Sequence, residues 1–156
     1  MKVKKILLIS FGIITLLMIS LLFILKFFSP NAQPSLPIGI YFKYKSKDYK
    51  KGDIIVFQLD EKYNQFYNSE NTLLPMKRII ADHTDNISFK NNHIFVNNED
   101  YGEVLELGLK RPNGKIEKNC FYLLSKTKYS FDSRYYGQIC KRDIKYKTKL
   151  VYEVKE

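Results

Sequence analysis

Apolar residues follow two different patterns along this chain. Ile6 to Leu25 is a run of twenty residues without a charge, enough at 1.5 Å per residue to cross the ~30 Å hydrocarbon core of a bilayer as one helix. Beyond Lys26, apolar residues come in short β-branched and aromatic runs broken by turn formers, which is the pattern of strands. Strands are predicted over Ile38–Tyr44, Ile54–Leu59 and Leu73–Ala81. A hairpin is predicted from Ile87–Phe89 and His93–Val96, with Asn91-Asn92 at its turn. Cys120–Leu124 and Tyr135–Ile139 read as two further strands, and Leu150–Val154 as a last strand at a sheet edge. Lys50–Asp53 reads as a turn, and Asp60–Thr72 and Ser125–Arg134 as polar loops. Asn97–Lys118, which contains Pro112-Asn113-Gly114, is the expected insertion or mobile region. No helical period stands out after the first segment. The expected fold is mainly β: an antiparallel, partly closed β domain preceded by one N-terminal transmembrane helix.

Charge turns this pattern into a topology. Lys2, Lys4 and Lys5 precede the apolar run, so the positive-inside bias keeps residues 1–5 in the cytoplasm, makes 6–28 the anchor and exports 29–156. A cleaved signal peptide is the competing reading. Its apolar region is usually only ~7–15 residues and ends in a small-x-small site. The run here is longer and Lys26-Phe27-Phe28-Ser29-Pro30 offers no such site, which favours a retained anchor. Of the formal net charge of +10, four lysines flank the anchor and no acid lies before Ser29, leaving +6 on the exported domain. A basic domain suggests nucleic acid as a partner. These lysines, however, are scattered among acids and asparagines, which suits a solvated surface beside anionic membrane lipid better.

The two cysteines, Cys120 and Cys140, fall in a compartment where disulfides persist. If strands 120–124 and 135–139 pair, the two face each other and would clamp the loop between them. His83 and His93 stand ten residues apart without other Cys or His ligands nearby, so neither a metal nor another cofactor is expected.

Candidate chemistry rests on three stretches. The first is Asn31–Tyr41, where Ser35 lies between Pro34 and Pro37 and Gly39 follows. The prolines predict a stiff, extended presentation of the serine, and Gly39 either takes a conformation other residues cannot or permits close approach of another backbone. On local composition the stretch fits a linker leaving a membrane equally well. The second is Met76–Ile80, where strand alternation puts Lys77 on the face of Ile79, opposite Met76 and Arg78. A lysine turned inward loses its charge readily, whereas one at a strand edge simply snorkels. The third is Ser130–Gly137, where Asp132 and Arg134 are two apart, on one face of an extended strand. There they either brace a loop or form a weak surface pair.

Taken in order, these stretches resemble the S26 signal peptidase family, and within it the TraF-type conjugative transfer peptidases. The resemblance is carried by Asn31-x-x-x-Ser35-x-Pro37-x-Gly39-x-Tyr41, Gly52-Asp53-Ile54-Ile55-Val56-Phe57, Met76-Lys77-Arg78-Ile79-Ile80, and Phe121–Ser125 followed by Ser130-Phe131-Asp132-Ser133-Arg134-Tyr135-Tyr136-Gly137. It implies a serine endopeptidase with a Ser/Lys dyad. Ser35 would be the nucleophile, Lys77 the neutral general base, Ser130 the serine that orients the lysine, and Asp132 with Arg134 the brace of the active-site loop. The Ser35 backbone N–H would donate to the oxyanion. The residue two before the nucleophile, Ser or Thr in related enzymes, is Gln33 here, so either its amide, on a longer arm, or a backbone group is expected as the second oxyanion donor. The resemblance further implies a bacterial cytoplasmic-membrane protein with its catalytic domain on the outer, periplasmic face. Its substrate would be an exported preprotein, a conjugative pilin in the TraF type, which is cleaved or cyclised. A housekeeping type I signal peptidase, whose nucleophile box is more often Ser-Met-x-Pro, is one alternative. A non-catalytic membrane-anchored component of a conjugation or secretion channel is the other.

Overall fold

The computed structural model describes residues 2–66 and 74–155. A single helix, α1 (Lys2–Phe27), opens the chain. Its apolar side chains from Ile6 to Leu25 are exposed rather than packed on the domain, as a span facing lipid requires. The helix hands over directly to strand β1 (Phe28–Asn31), which the apolar pattern did not predict.

The rest is β. After β1 come β2 (Gly39–Tyr44), β3 (Ile54–Phe57), β4 (Met76–Ala81), β5 (Ile87–Lys90), β6 (His93–Val96), β7 (Glu99–Glu103), β8 (Cys120–Leu123), β9 (Ile139–Cys140) and β10 (Ile144–Glu153). They form a seven-stranded sheet in the order β1-β2-β10-β3-β4-β8-β9 and a three-stranded sheet β5-β6-β7, with antiparallel neighbours throughout. β3 and β8 read as unbroken apolar runs because both of their faces are covered. Ile54 and Val56 point into one apolar cluster with Leu36, Tyr41 and Met76. Ile55 and Phe57 point into a second with Ile79 and Leu123. On β8, Tyr122 turns instead toward a third cluster, where Ile94 and Val96 of β6 pack.

Several sequence expectations are corrected. The last strand is no edge strand over Leu150–Val154: β10 starts at Ile144 and lies inside the sheet, between β2 and β3. Its first half alternates Ile144, Tyr146 and Thr148 with Lys145, Lys147 and Lys149, and the lysines mask the strand period. Tyr135–Ile139 is not a strand. Ser133–Tyr136 forms a one-turn helix, α2, capped by the Asp132 side chain and closed by Gly137 at φ 79°, leaving only Ile139–Cys140 extended. The region expected as an insertion from Asn97 begins with β7. Asn97 and Asn98 take positive φ, as Asn91 and Asn92 do, so two Asn-Asn pairs make the two tight turns of the β5-β6-β7 meander. Within Asp60–Thr72, Glu61–Phe66 is a 3-10 helix; residues 67–72 of that loop, and Leu73 of the third predicted strand, lie outside the described residues.

The close approach expected at Gly39 comes from β10. A Cβ on Gly39 would lie 2.0 Å from the Tyr152 carbonyl oxygen, beside a bulge where the β2–β10 register shifts between Leu150 and Tyr152. A Gly39→Ala substitution therefore forces the two strands apart. It is expected to lower unfolding free energy by about 1–3 kcal/mol, the usual cost of overpacking, read from denaturant unfolding of the detergent-solubilised protein.

Candidate active site

β1 and β2 pair down to Asn31 opposite Gly39, so residues 32–38 close into a loop at the end of this ribbon. Ser35 sits within it. The chain there is a turn rather than the extended segment the prolines suggested. The Leu36 N–H reaches the Gln33 carbonyl at 3.4 Å, which puts Pro34 and Ser35 in the two central positions. Proline's fixed φ suits the first of these. Leu36 is buried among Tyr41, Ile54, Val56 and Met76 and pins the loop to the core. The Tyr41 hydroxyl donates to the Pro37 carbonyl at 2.8 Å.

Lys77 arrives from β4, paired to Ile55 of β3. The Gly52-Asp53 turn sets its height. The Gly52 N–H donates to the Ile79 carbonyl and the Ile79 N–H to the Asp53 carbonyl, both at 2.8 Å. The Asp53 carboxylate is held in turn by Lys147 of β10 at 2.7 Å. Lys77 is 2% exposed. Its Nζ lies 2.7 Å from Ser35 Oγ and 2.9 Å from Ser130 Oγ. Burial pushes the amine down from 10.5 to about 8; Asp132 pulls it back up and Arg134 adds to the lowering. The inward orientation, rather than the snorkelling one, is the one adopted.

Asp132 and Arg134 are paired, but not by strand alternation. Asp132 caps α2: its Oδ1 accepts the Arg134 backbone N–H at 3.1 Å and Nε at 2.8 Å, and its Oδ2 accepts the Ser125 N–H at 3.1 Å. The pair is fully enclosed rather than at the surface. Burial pushes the Asp132 carboxyl up and the Arg134 guanidinium pulls against it. Arg134 also donates to the carbonyls of Tyr101, Glu103 and Ser125, so the small sheet and the loop entering Ser130 hang on one side chain. The Ser133 hydroxyl, to which the sequence pointed no role, accepts the Leu123 N–H at 2.8 Å and docks α2 on β8. Behind the site Cys120 and Cys140 are opposite one another across β8 and β9 and are joined by a disulfide.

Ser35, Lys77 and Ser130 line a cleft of about 650 Å³ whose walls include Pro30, Gln33 and Tyr129. Gln33 is exposed at its rim. Its backbone is engaged by Asn31, whereas its side-chain amide has no hydrogen bond among the described residues. Among those residues no cluster of His, Cys, Asp and Glu has the makings of a metal site. A half-buried hydroxyl held against a buried amine of lowered pKa, at the floor of an open cleft, has the parts needed for acyl transfer without a cofactor.

The comparison with known families agrees with this chemistry. The model of the family described as signal peptidase, peptidase S26, matches residues 1–153. The chain belongs to the S26 signal peptidase family. No curated protein matches it.

The burial of Lys77 has a thermodynamic consequence. Its folded pKa, about 8, is below its ordinary value of 10.5. Between these values the unfolded chain holds more proton on this group, so stability rises with pH through that window and the full cost is borne below it. Lys77→Met is therefore expected to raise stability at pH 7 by on the order of 1–3 kcal/mol. The gain should fade as pH rises toward 10.5, a trend measurable by chemical unfolding in detergent.

Proposed function

We propose that the protein is a membrane-anchored serine endopeptidase in which Ser35 is the nucleophile and Lys77 the general base. The observation that carries this reading is the 2.7 Å approach of a buried Lys77 amine to Ser35 Oγ. A purely structural module has no use for a lysine whose burial costs stability. In the reaction, neutral Lys77 takes the Ser35 proton as Oγ attacks the scissile carbonyl. The oxyanion forms against the Ser35 backbone N–H, with the Gln33 amide, free to swing at the cleft rim, as second donor. Protonated Lys77 then gives its proton to the leaving amine as the C–N bond breaks, and an ester to Ser35 remains. Ser130 holds the lysine on this line, while Asp132 and Arg134 hold the segment that carries Ser130.

The substrate we infer is an exported precursor cleaved at the membrane surface. Strand β1 begins where α1 ends. Ring contacts run from Phe23 to Phe27, Phe42 and Tyr44, tying the helix end to the sheet. Ser35 lies ten residues beyond Leu25, so the nucleophile works at headgroup level. With Lys2, Lys4 and Lys5 on the cytoplasmic side, the domain stands on the outer face. The Ser-x-Pro-x-Gly-x-Tyr form of the nucleophile stretch supports the TraF-type reading, with a conjugative pilin precursor as substrate. The ester is resolved by water, or by the precursor's own amino terminus in a cyclisation.

Two outcomes test this reading. Co-expressed with a tagged pilin precursor, the wild type is expected to convert it and Ser35→Ala to leave it intact on immunoblots; conversion by Ser35→Ala removes Ser35 as nucleophile. The mass of the product separates linear from cyclic ends. Because the base must be neutral, the acylation rate should climb with pH and level off with a midpoint near 8. A rate flat from pH 6 to 10 would exclude Lys77 as the base.

A further inference from the structure

Within the loop that carries Ser35, Pro34 and Pro37 stiffen the chain but remove two backbone donors. The carbonyls that precede them, Gln33 O and Leu36 O, belong to peptide units with no N–H to give. Both turn inward, and the side chain of Asn31 meets them. Asn31 Nδ2 donates to Gln33 O at 2.9 Å, Leu36 O at 3.3 Å and Pro37 O at 3.2 Å, and its Oδ1 accepts the Gln33 N–H at 3.3 Å. One side chain at the base of the loop thus fixes its peptide planes on both sides of Ser35. Of the two planes that flank Ser35 itself, the Ser35–Leu36 peptide is held by its N–H on Gln33 O at 3.4 Å, and the Pro34–Ser35 peptide is held from another loop. The Thr127 hydroxyl donates to the Pro34 carbonyl at 3.4 Å and itself accepts from Ser125 Oγ at 3.0 Å. Since a trans peptide sets its N–H opposite its C=O, that contact aims the Ser35 N–H away from Thr127.

We infer that Asn31 is a positioning residue for the nucleophile: its amide holds the loop in the one shape that keeps Ser35 Oγ on Lys77. This rests on the proposed role of Ser35 and assigns a function to a residue in the wall of the same cleft that makes no hydrogen bond to Ser35 Oγ or Lys77 among the described residues. Leu36 and Tyr41 anchor the loop to the core independently of Asn31, so losing the amide loosens the geometry without releasing the loop. Lys77 sits on β4 and has no hydrogen bond to Asn31 among the described residues. The base should therefore keep its titration while the alignment is lost.

The test uses the detergent-solubilised full chain and p-nitrophenyl acetate, with the nitrophenolate burst reporting acetylation and mass spectrometry placing the acetyl group. Asn31→Ala is expected to slow the burst by on the order of 100-fold, the scale of a misplacement near 1 Å, with the pH midpoint unmoved and the melting temperature nearly so. Asn31→Asp keeps the size of the side chain and its acceptor but sets a carboxylate against three carbonyls, so it is expected to be as slow as Asn31→Ala or slower. It also provides the reading if Asn31→Ala does not fold. A wild-type burst rate in either folded variant overturns the inference and leaves the Ser35 reading standing. So does a pH midpoint that shifts along with the rate, because the effect would then run through the base. A wild-type chain that takes no acetyl group at Ser35 overturns both.

Discussion

The structure turns on one unfavourable act, the burial of a lysine amine. An isolated ammonium in an apolar interior is costly enough that the group gives up its proton or the site rearranges. Here the surroundings bring the neutral amine within reach, lowering its pKa from 10.5 to about 8. Lys77 is buried on the inner strand β4, its Nζ hydrogen-bonds two serine hydroxyls among the described residues, and the nearby carboxylate, Asp132, is already occupied by Arg134. If Asp132 were free to face Lys77, the ion pair would pull the amine back toward its ordinary value of 10.5. Arg134 thus keeps the Asp132 carboxylate from pairing with Lys77 as well as fastening the loop that carries Ser130.

The same economy of parts shows in how distant segments meet. Ser35 belongs to the β1–β2 ribbon, Lys77 to β4 and Ser130 to the approach to α2. No two of them are neighbours in sequence. The elements that bring them together are modest: a Gly-Asp turn that sets the height of β4, a glycine that lets β10 close on β2, and a one-turn helix begun by an aspartate cap.

Much of this was legible in the order of residues. The apolar run to Leu25, the β-branched stretch at Ile54 and the inward phase of Lys77 are local patterns, and local patterns survive folding. Ser35, Lys77 and Ser130 could be named from their motifs, and the structure sets them within hydrogen-bonding distance. What misled was local chemistry with two meanings. Alternating lysines concealed β10, since charge along a strand resembles a loop until its neighbours are known. Asp132 and Arg134 stand two apart, which suits a strand face, yet a cap residue and the second residue of a helix stand equally far apart. Pro34 suggested extension where it was shaping a turn. Asn31 was part of the motif without a role, because three carbonyls converging on one amide cannot be seen before the loop is closed. The Asn97-Asn98 turn was the avoidable miss, for it repeats the signal read correctly at Asn91-Asn92.

The place of β10 in the sheet governs when the cleft is assembled. The strands on either side of it are β2, next to the serine loop, and β3, next to the strand of the lysine. The final strand in the chain is therefore the one that joins the two halves of the site. A polypeptide emerging amino end first would expose Ser35 and Lys77 early but leave them on unconnected pieces of sheet. Their union waits on a long-range pairing, the slowest kind to form. The approach of Ser35 to Lys77 is thereby withheld until residues up to Glu153 are in place, so a chain that has not paired its last strand lacks an assembled cleft.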